Sequence, residues 1–412
     1  MRKKFAILFL IIFSGYIGFL FGQKKLQWQF YNFKPAIVLN SEVPKDKYVN
    51  FSLFWIVWDK LARGYVDKTL VDSQKMVYGA ISGMVSALGD PYTVFLPPTQ
   101  NKEANDDLAG EFGGVGIHLG YKDSFLAVIA PLPNTPAERA GVQSGDLILH
   151  IKDENKKIDI DSEKMSISQA VSNIRGPIGT KVELTLGRTG ASELIKVELT
   201  RETIIDKSVT LKIIERDGKK IAHLQLSKFG DKTPDEWSEA LSKIGNLPIV
   251  LDLRNNPGGY LDGAVYIAGE FISAGKLVVS QVSGDGTREE LKVIRNGRLL
   301  KNKLVVLVNE GSASAAEIVS GALRDHNRAK LVGMKTFGKG SVQSPENLPD
   351  GSGIHITVAK WLRPNGEWID KIGIMPDVEV KPVKIDPDKP RDTETETKND
   401  TQLNKAIEML YL

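Results

Sequence analysis

The sequence contains no cysteine, which excludes disulfides, thiolate metal sites and a cysteine nucleophile together. That absence suits an oxidising compartment without requiring one. Histidine is scarce. The five present, His118, His150, His223, His326 and His355, form no HExxH or other close ligand spacing, so no metal and no cofactor is expected. An excess of one charge is missing too, since 54 basic and 51 acidic residues leave a formal net charge of +3 over 412 residues. No long basic stretch carries interleaved aromatics, so no nucleic acid is expected as a partner. Internal repeats are absent, and so are long apolar runs, with one exception. Residues 5–22, behind Met1-Arg2-Lys3-Lys4, run for 18 positions without a charge. That is enough for one membrane-spanning helix with its basic amino terminus in the cytoplasm. No small-x-small cleavage site follows, so residues 1–25 read as an uncleaved signal anchor. The rest of the chain is then membrane-anchored on the extracytoplasmic side, in the cell envelope or periplasm. Cleavage of the segment would instead make it secreted.

Apolar residues at 42% and charged residues at 25% are ordinary for globular protein, and the length calls for two or three domains. Residues 26–48 read as a spacer containing Pro35 and Pro44. Residues 51–61 and 73–88 carry apolar side chains at helical spacing, among them Leu53, Trp55, Ile56 and Trp58, then Val77, Ile81, Val85 and Leu88. Gly89-Asp90-Pro91-Tyr92 stops the second helix, because proline disfavours helix in the residue before it. These segments make 49–108 a helical N-terminal region. From Gly113 short β-rich runs alternate with glycine turns around one helix at 168–174, giving a small α+β module over 109–202. Strand and helix then alternate, with strands at 248–253, 303–308, 331–333 and 353–358 and helices at 262–272 and 315–323. That is an α/β unit over 203–384. A polar linker at 385–400 and a short amphipathic helix at 401–412 close the chain.

Three loops of the α/β unit carry candidate chemistry. Gly311-Ser312-Ala313-Ser314-Ala315-Ala316-Glu317 joins a buried strand to an amphipathic helix. Free N–H groups at a helix start favour a developing oxyanion, although serine is equally a good helix cap. Gly338-Lys339-Gly340-Ser341-Val342-Gln343 follows, with Lys339 placed 25 residues after Ser314. A lysine can act as a base once burial has disfavoured its charged form, and Gln343 can hold the amine by a hydrogen bond. The bland alternative is a surface or phosphate-binding loop, though the rest of a P-loop is missing. Asp252-Leu253-Arg254-Asn255-Asn256-Pro257-Gly258-Gly259 leaves a strand through a glycine turn. Its N–H groups suit the second half of an oxyanion hole, or the turn is an ordinary βα connection. In the smaller module, Gly113-Gly114-Val115-Gly116-Ile117 runs into a strand where a peptide carboxylate can meet backbone N–H groups while the peptide adds to the sheet. With Pro136-Ala137-Glu138-Arg139-Ala140-Gly141-Val142 and Gly145-Asp146-Leu147-Ile148, this module resembles a PDZ domain.

Taken with Gly89-Asp90-Pro91-Tyr92-Thr93, Ile174-Arg175-Gly176 and Ile374-Met375-Pro376-Asp377, these pieces resemble the carboxy-terminal processing proteases, or tail-specific proteases, from about residue 50 onward. The resemblance implies a crotonase/ClpP-like α/β protease core with an inserted PDZ domain. The whole is then a multidomain α/β and α+β chain with a helical N-terminal region and an N-terminal transmembrane helix. It implies a serine–lysine endopeptidase in which Ser314, rather than Ser312, is the nucleophile. Lys339, rather than Lys335, is the general base, and Gln343 orients it. It implies oxyanion donors at the backbone N–H groups of Ala315, Gly258 and Gly259, peptide binding at Gly114, Val115, Gly116 and Ile117, and coupling of PDZ domain to protease core through Arg175. Ala316 stands where the family often carries serine, a departure without chemical consequence.

The expected activity is hydrolysis of polypeptide substrates whose apolar C-termini dock on the PDZ domain. The membrane is a partner through the N-terminal helix, and residues 51–88 and 401–412 leave a homodimer open. Two rival readings stand beside it. One is a PDZ scaffold that binds tails without cutting them, and the other is a histidine-based triad, against which His326 lies far along the helix from Ser314.

Overall fold

The computed structural model describes residues 13–14, 26–31, 34–39, 50–122, 125–132, 134–383 and 399–411. The expected membrane segment at 5–22 and the polar linker at 385–400 fall almost entirely outside them. Among the described residues no helix is long and apolar enough to cross a membrane.

The chain divides into two compact units, Met1–Val77 and Tyr78–Leu412. In the first, β1 (Leu26–Tyr31) and β2 (Lys34–Leu39) form an antiparallel hairpin with Leu26 opposite Leu39 and Tyr31 opposite Lys34. Both strands fall within the segment expected as a spacer over 26–48. Leu26, Trp28 and Phe30 alternate with Gln27 and Gln29 at the period of a strand, and a two-stranded ribbon has only edges, where Pro35 is tolerated. Helix α1 (Ser52–Gly64) follows, with Phe54, Trp55 and Trp58 in mutual ring contact and none of its residues buried. Helix α2 (Ser73–Ser86) runs across the division.

The second unit continues with β3 (Val94–Leu96), α3 (Pro98–Ala109) and β4 (Glu111–Gly114). The chain then enters an antiparallel module of β5 (Ile117–Lys122), β6 (Phe125–Pro131), α4 (Pro136–Arg139), β7 (Leu147–Asp153), β8 (Ile158–Asp161), α5 (Ile167–Ile174), β9 (Lys181–Gly187) and β10 (Ile195–Thr200). The strand order is β10-β9-β7-β6-β5 with β8 on β7, which leaves β5 at an edge. Val128, Ile148, Ile151, Leu184 and Leu186 fill its core. On leaving, β11 (Glu202–Ile205) pairs with β4, Glu202 opposite Gly114, so entry and exit lie side by side as an inserted domain requires.

The remainder is an α/β core. Its elements are β12 (Val209–Arg216), β13 (Lys219–Leu226), α6 (Thr233–Ile244), β14 (Ile249–Asp252), α7 (Leu261–Phe271), β15 (Leu277–Ser283), β16 (Arg288–Lys292), β17 (Leu304–Val308), α8 (Ala315–Asp325), β18 (Lys330–Gly333), β19 (Ser341–Asn347), β20 (Gly353–Leu362), β21 (Val378–Glu379) and α9 (Thr401–Leu410). One sheet runs β12-β13-β14-β17-β18-β21, parallel except for β12 on β13, and a second runs β16-β15-β20-β19 with β3 on β20. Every residue of β14 and β17 is buried, as expected of parallel strands covered on both faces. Leu251, Val306 and Leu331 face a core shared with Trp237, Ile267, Phe271, Ile318 and Val319. The alternate residues Val250, Val305, Leu307 and Val332 face Leu403, Ala406, Ile407 and Leu410 of α9. Sheets of this kind place their sites beyond the carboxyl ends of the strands. Here β14 and β17 release residues 253–260 and 309–314.

Because Leu403 is only 1% exposed, Leu403→Ala should cost about 2–5 kcal/mol of stability. Urea unfolding reads this as a lower midpoint at an unchanged slope.

Candidate active site

The turns after β14 and β17 are laced together by main chain and amides. The Asn309 side chain accepts from the Asn255 N–H at 2.8 Å and donates to Asn255 Oδ1 at 2.8 Å. The Ala313 N–H donates to the Asn256 carbonyl at 2.9 Å. The two serines differ in environment. Ser312 is fully buried; its hydroxyl donates to the Leu253 carbonyl at 2.8 Å and accepts the Asn309 N–H at 2.9 Å. Ser314 is half-buried and sits at the start of α8 with φ 52° and ψ −115°. A non-glycine residue at positive φ is uncommon and marks a position held by its surroundings. Gly258 packs against it so closely that a Cβ there would lie 2.8 Å from Ser314 Cβ, and one at Gly259 would lie 2.1 Å from the Phe229 carbonyl oxygen. Both glycines also have positive φ, 107° and 132°. The Gly258 N–H is already taken by Asn256 Oδ1 at 2.8 Å. It is therefore not free to be the oxyanion donor expected of it. Among the described residues the N–H groups of Gly259 and Ala315 meet no acceptor.

Lys339 lies in a loop fixed from three directions. The Trp361 indole N–H donates to the Lys339 carbonyl at 2.9 Å, that of Trp368 to the Gly340 carbonyl at 2.8 Å, and the Gly340 N–H to Asp370 Oδ1 at 3.2 Å. The flanking glycines are steric necessities, since a Cβ at Gly338 would sit 2.8 Å from the Gly373 nitrogen and one at Gly340 2.6 Å from Trp368 Nε1. The loop is also held by Glu317, in the first turn of α8 and without exposure to water. Its Oε2 accepts the N–H groups of both Ser314, at 3.0 Å, and Lys339, at 2.9 Å. Its Oε1 accepts the Gly338 N–H at 2.8 Å and the Thr336 hydroxyl at 2.5 Å. Ser314 and Lys339 are thus gathered on a single carboxylate oxygen. Burial lowers the Lys339 pKa below its ordinary 10.5, against the opposing charges of Asp90 and Glu317. The amine lies 5.1 Å from the centre of the Tyr92 ring.

Gln343 stands on β19 opposite Thr357 of β20. Its nitrogen donates to Ser341 Oγ at 2.9 Å and Thr357 Oγ1 at 3.1 Å, which leaves its carbonyl oxygen to accept. Gly114, Val115 and Gly116 are buried just before the edge strand β5, which Ile117 opens. Arg175, at the end of α5, lies 3.7 Å over the Phe112 ring and pairs with Asp107 of α3 at 2.7 Å. It therefore joins the inserted module to the elements around its entry. His326 ends α8 and bonds the Leu277 carbonyl, far from Ser314, whereas burial and the Lys339 charge lower the pKa of His355.

Sequence reasoning missed Glu317, Tyr92 and His355 as neighbours of the site. A signal for Glu317 was present, because Ser314-Ala315-Ala316-Glu317 has the spacing of a capping box.

Three family models match the chain: Peptidase family S41 over residues 220–380, the PDZ domain over 128–188 and the Activating protease CtpB N-terminal domain over 34–99. The carboxy-terminal processing protease CtpA of Bacillus subtilis is 36% identical over 327 residues, covering 79% of this chain and 67% of the relative. A probable CtpA-like serine protease of Staphylococcus epidermidis is 38% identical over 354 residues, covering 84% and 68%. The chain belongs to peptidase family S41. Among solved structures, a photosystem II D1 C-terminal processing protease matches with a TM-score of 0.51 at 30% identity, over 85% of this chain and 97% of that one. This S41 serine peptidase therefore combines a mixed α/β protease fold with a PDZ domain.

Glu317→Gln keeps the size of the side chain but turns an NH2 group toward N–H donors. We expect kcat of this peptidase to fall about a hundredfold through loop misplacement and stability by about 1–3 kcal/mol. Steady-state kinetics and denaturant unfolding check both, and an unchanged kcat in the folded variant refutes the role assigned to Glu317.

Proposed function

We propose that this S41 peptidase is an endopeptidase working through Ser314 and Lys339. The observation that carries the reading is the convergence of both residues on Glu317, with a lysine whose burial favours the neutral amine. Neutral Lys339 takes the hydroxyl proton as Ser314 Oγ attacks the substrate carbonyl. The N–H groups of Ala315 and Gly259 stabilise the oxyanion, while Gly258 contributes close approach rather than a donor. The Lys339 ammonium returns its proton to the leaving amine, and the acyl-enzyme forms. The amine then deprotonates a water, which attacks the ester; the carboxylate product leaves and Ser314 regains its proton. Gln343, with its nitrogen donating to two hydroxyls, accepts from the Lys339 amine through its carbonyl oxygen.

The PDZ domain supplies selection. An apolar C-terminal tail adds to the edge of β5, its carboxylate received at residues 114–117, and Arg175 passes occupancy to α3 and β4. The uncharged run at 5–22 supports a membrane anchor with the peptidase on the extracytoplasmic side. Exposed Leu53, Trp55 and Ile56 on α1 support pairing with a second copy.

The test is cleavage of an unstructured protein by the full chain. Ser314→Ala should lose about a thousandfold or more in kcat, while binding of tail peptides persists. Activity should rise with pH as Lys339 deprotonates, with a midpoint below 10.5. Equal cleavage by wild type and Ser314→Ala refutes the mechanism; binding without cleavage by either favours the scaffold.

A further inference from the structure

Gly89-Asp90-Pro91-Tyr92-Thr93 looks, as sequence, like a helix stop, and a stop explains its glycine and proline. It does not explain where the other three side chains go. Asp90 Oδ1 accepts the Tyr92 N–H at 3.1 Å and its Oδ2 the Thr93 hydroxyl at 2.6 Å, closing a tight turn. β3 then pairs with β20, Val94 opposite His355, and Thr93 Oγ1 accepts the Thr357 N–H at 3.1 Å. The turn is thereby set on β20 beside the residue that Gln343 bonds. The Thr357 hydroxyl accepts from Gln343 Nε2 at 3.1 Å, and the Thr93 hydroxyl, which accepts the Thr357 N–H, donates to Asp90 Oδ2. A chain of donors runs from Gln343 through Thr357 and Thr93 to Asp90. Tyr92, half-buried, presents its ring 5.1 Å from the Lys339 amine.

We propose that Asp90 and Tyr92 are positioning residues of the peptidase site, Asp90 fixing the Gln343 amide through Thr93 and Thr357 and Tyr92 forming the aromatic wall of the Lys339 amine. The proposal rests on the Ser314–Lys339 mechanism above and extends it to a segment that precedes the PDZ domain in the chain. A side-chain amide held by its nitrogen on two hydroxyls cannot turn that nitrogen toward the amine, so its carbonyl oxygen is the end kept for lysine. An aromatic face beside the amine excludes water from one side and still tolerates the ammonium that each cycle forms.

Groups near this amine are Asp90 and Tyr92 from the turn, Glu317 from α8 and His355 from β20, while Asp370, in the loop that binds Gly340, acts on Tyr92. Burial lowers the amine pKa, while the charges of Asp90 and Glu317 raise it. Burial first, then the charges of Asp370, Glu317 and Asp90, raises the pKa of Tyr92 and keeps its phenol neutral. Asp90→Asn removes one of the two charges favouring the ammonium. It retains the Oδ1 acceptor of the turn.

The experiment measures kcat, KM and pH profiles on fluorescein-labelled casein with the full chain. For Asp90→Asn the acidic limb of the profile should move to lower pH. Thr357→Val should lower kcat about tenfold or more with little change in KM, Thr357→Ser should restore it, and Asp90→Asn with Thr357→Val should be no worse than the poorer single variant. Tyr92→Phe should recover most of what Tyr92→Ala loses. Folded variants with the wild-type limb and kcat overturn the proposal, as does an Asp90→Asn limb displaced to higher pH. If Asp90→Asn fails to fold, the Thr357 and Tyr92 pairs decide. Ser314→Ala and Lys339→Ala run alongside: inactivity in both with wild-type behaviour in the Asp90, Thr357 and Tyr92 variants sinks this inference alone, whereas activity in either sinks the underlying mechanism.

Discussion

Glu317 carries a carboxylate with no exposure to water on the first turn of α8, and four donors from two separate loops surround it. An ionised carboxylate taken out of water costs several kcal/mol unless it is met. Each hydrogen bond to a charged group returns about 1.5–3 kcal/mol, so the buried acid is tolerable only when the loops of residues 309–314 and 336–340 are both in place. One direct bond also joins the loops, the Phe337 N–H donating to the Ser312 carbonyl at 3.0 Å. They share an acceptor that would be unfavourable alone, and the fold of each becomes conditional on the other.

Close approach does the rest. The strands β14 and β17 are neighbours in a parallel sheet, so their carboxyl ends deliver the glycine turn and the serine loop to the same edge. Gly258 then lies against Ser314 with no room for a side chain, and Gly259 against the Phe229 carbonyl. The positive φ of Ser314 is held from both sides of the residue: its N–H by Glu317 and its carbonyl by the Ile318 N–H at 2.9 Å. Arg254, beside the glycine turn, binds Asp252 at 2.6 Å, Asp400 at the N-cap of α9 at 2.8 Å and Gln402 of α9 at 3.0 Å. Against burial, the hydrogen bonds from His223 and Arg254 and their charges hold the Asp252 carboxyl down at about 2.

Much of this was legible in the sequence wherever a local pattern and a tertiary demand coincide. The buried runs of β14 and β17, the amphipathic face of α8 and the glycines around Lys339 announce themselves, because a covered parallel strand, a packed helix and a loop without room each restrict residue type. What escaped notice depends on long-range pairing. Asp90 serves locally as a turn former, and nothing near it in sequence shows that its carboxylate is tied through Thr93 to Thr357, more than two hundred residues away. Glu317 reads as a helix-capping acid, which it is; that the same oxygens collect the Lys339 loop follows only from the sheet. Gly258 illustrates the converse. Its type fits an oxyanion turn, yet Asn256, two residues before it, takes the N–H, and only its neighbour Gly259 keeps one without an acceptor.

The charges around Lys339 resolve what would otherwise be a conflict. A base buried near Asp90 and Glu317 is at risk of becoming a permanent ammonium, since an opposite charge in contact stabilises the charged form. Among the described residues, however, neither acid forms a salt bridge with Lys339. The lone pairs of Asp90 are directed to the Tyr92 N–H and the hydroxyl of Thr93, and those of Glu317 to three N–H groups and the hydroxyl of Thr336. The amine feels the fields of both acids but contacts neither, so burial remains the larger effect and the pKa settles below the ordinary value. In the proposed mechanism such an amine loses its proton to take one from Ser314, and the same two fields ease the ammonium that would next protonate the leaving group. Both halves of that proposed cycle need an intermediate basicity, and the acids would supply it because their hydrogen bonds are directed elsewhere.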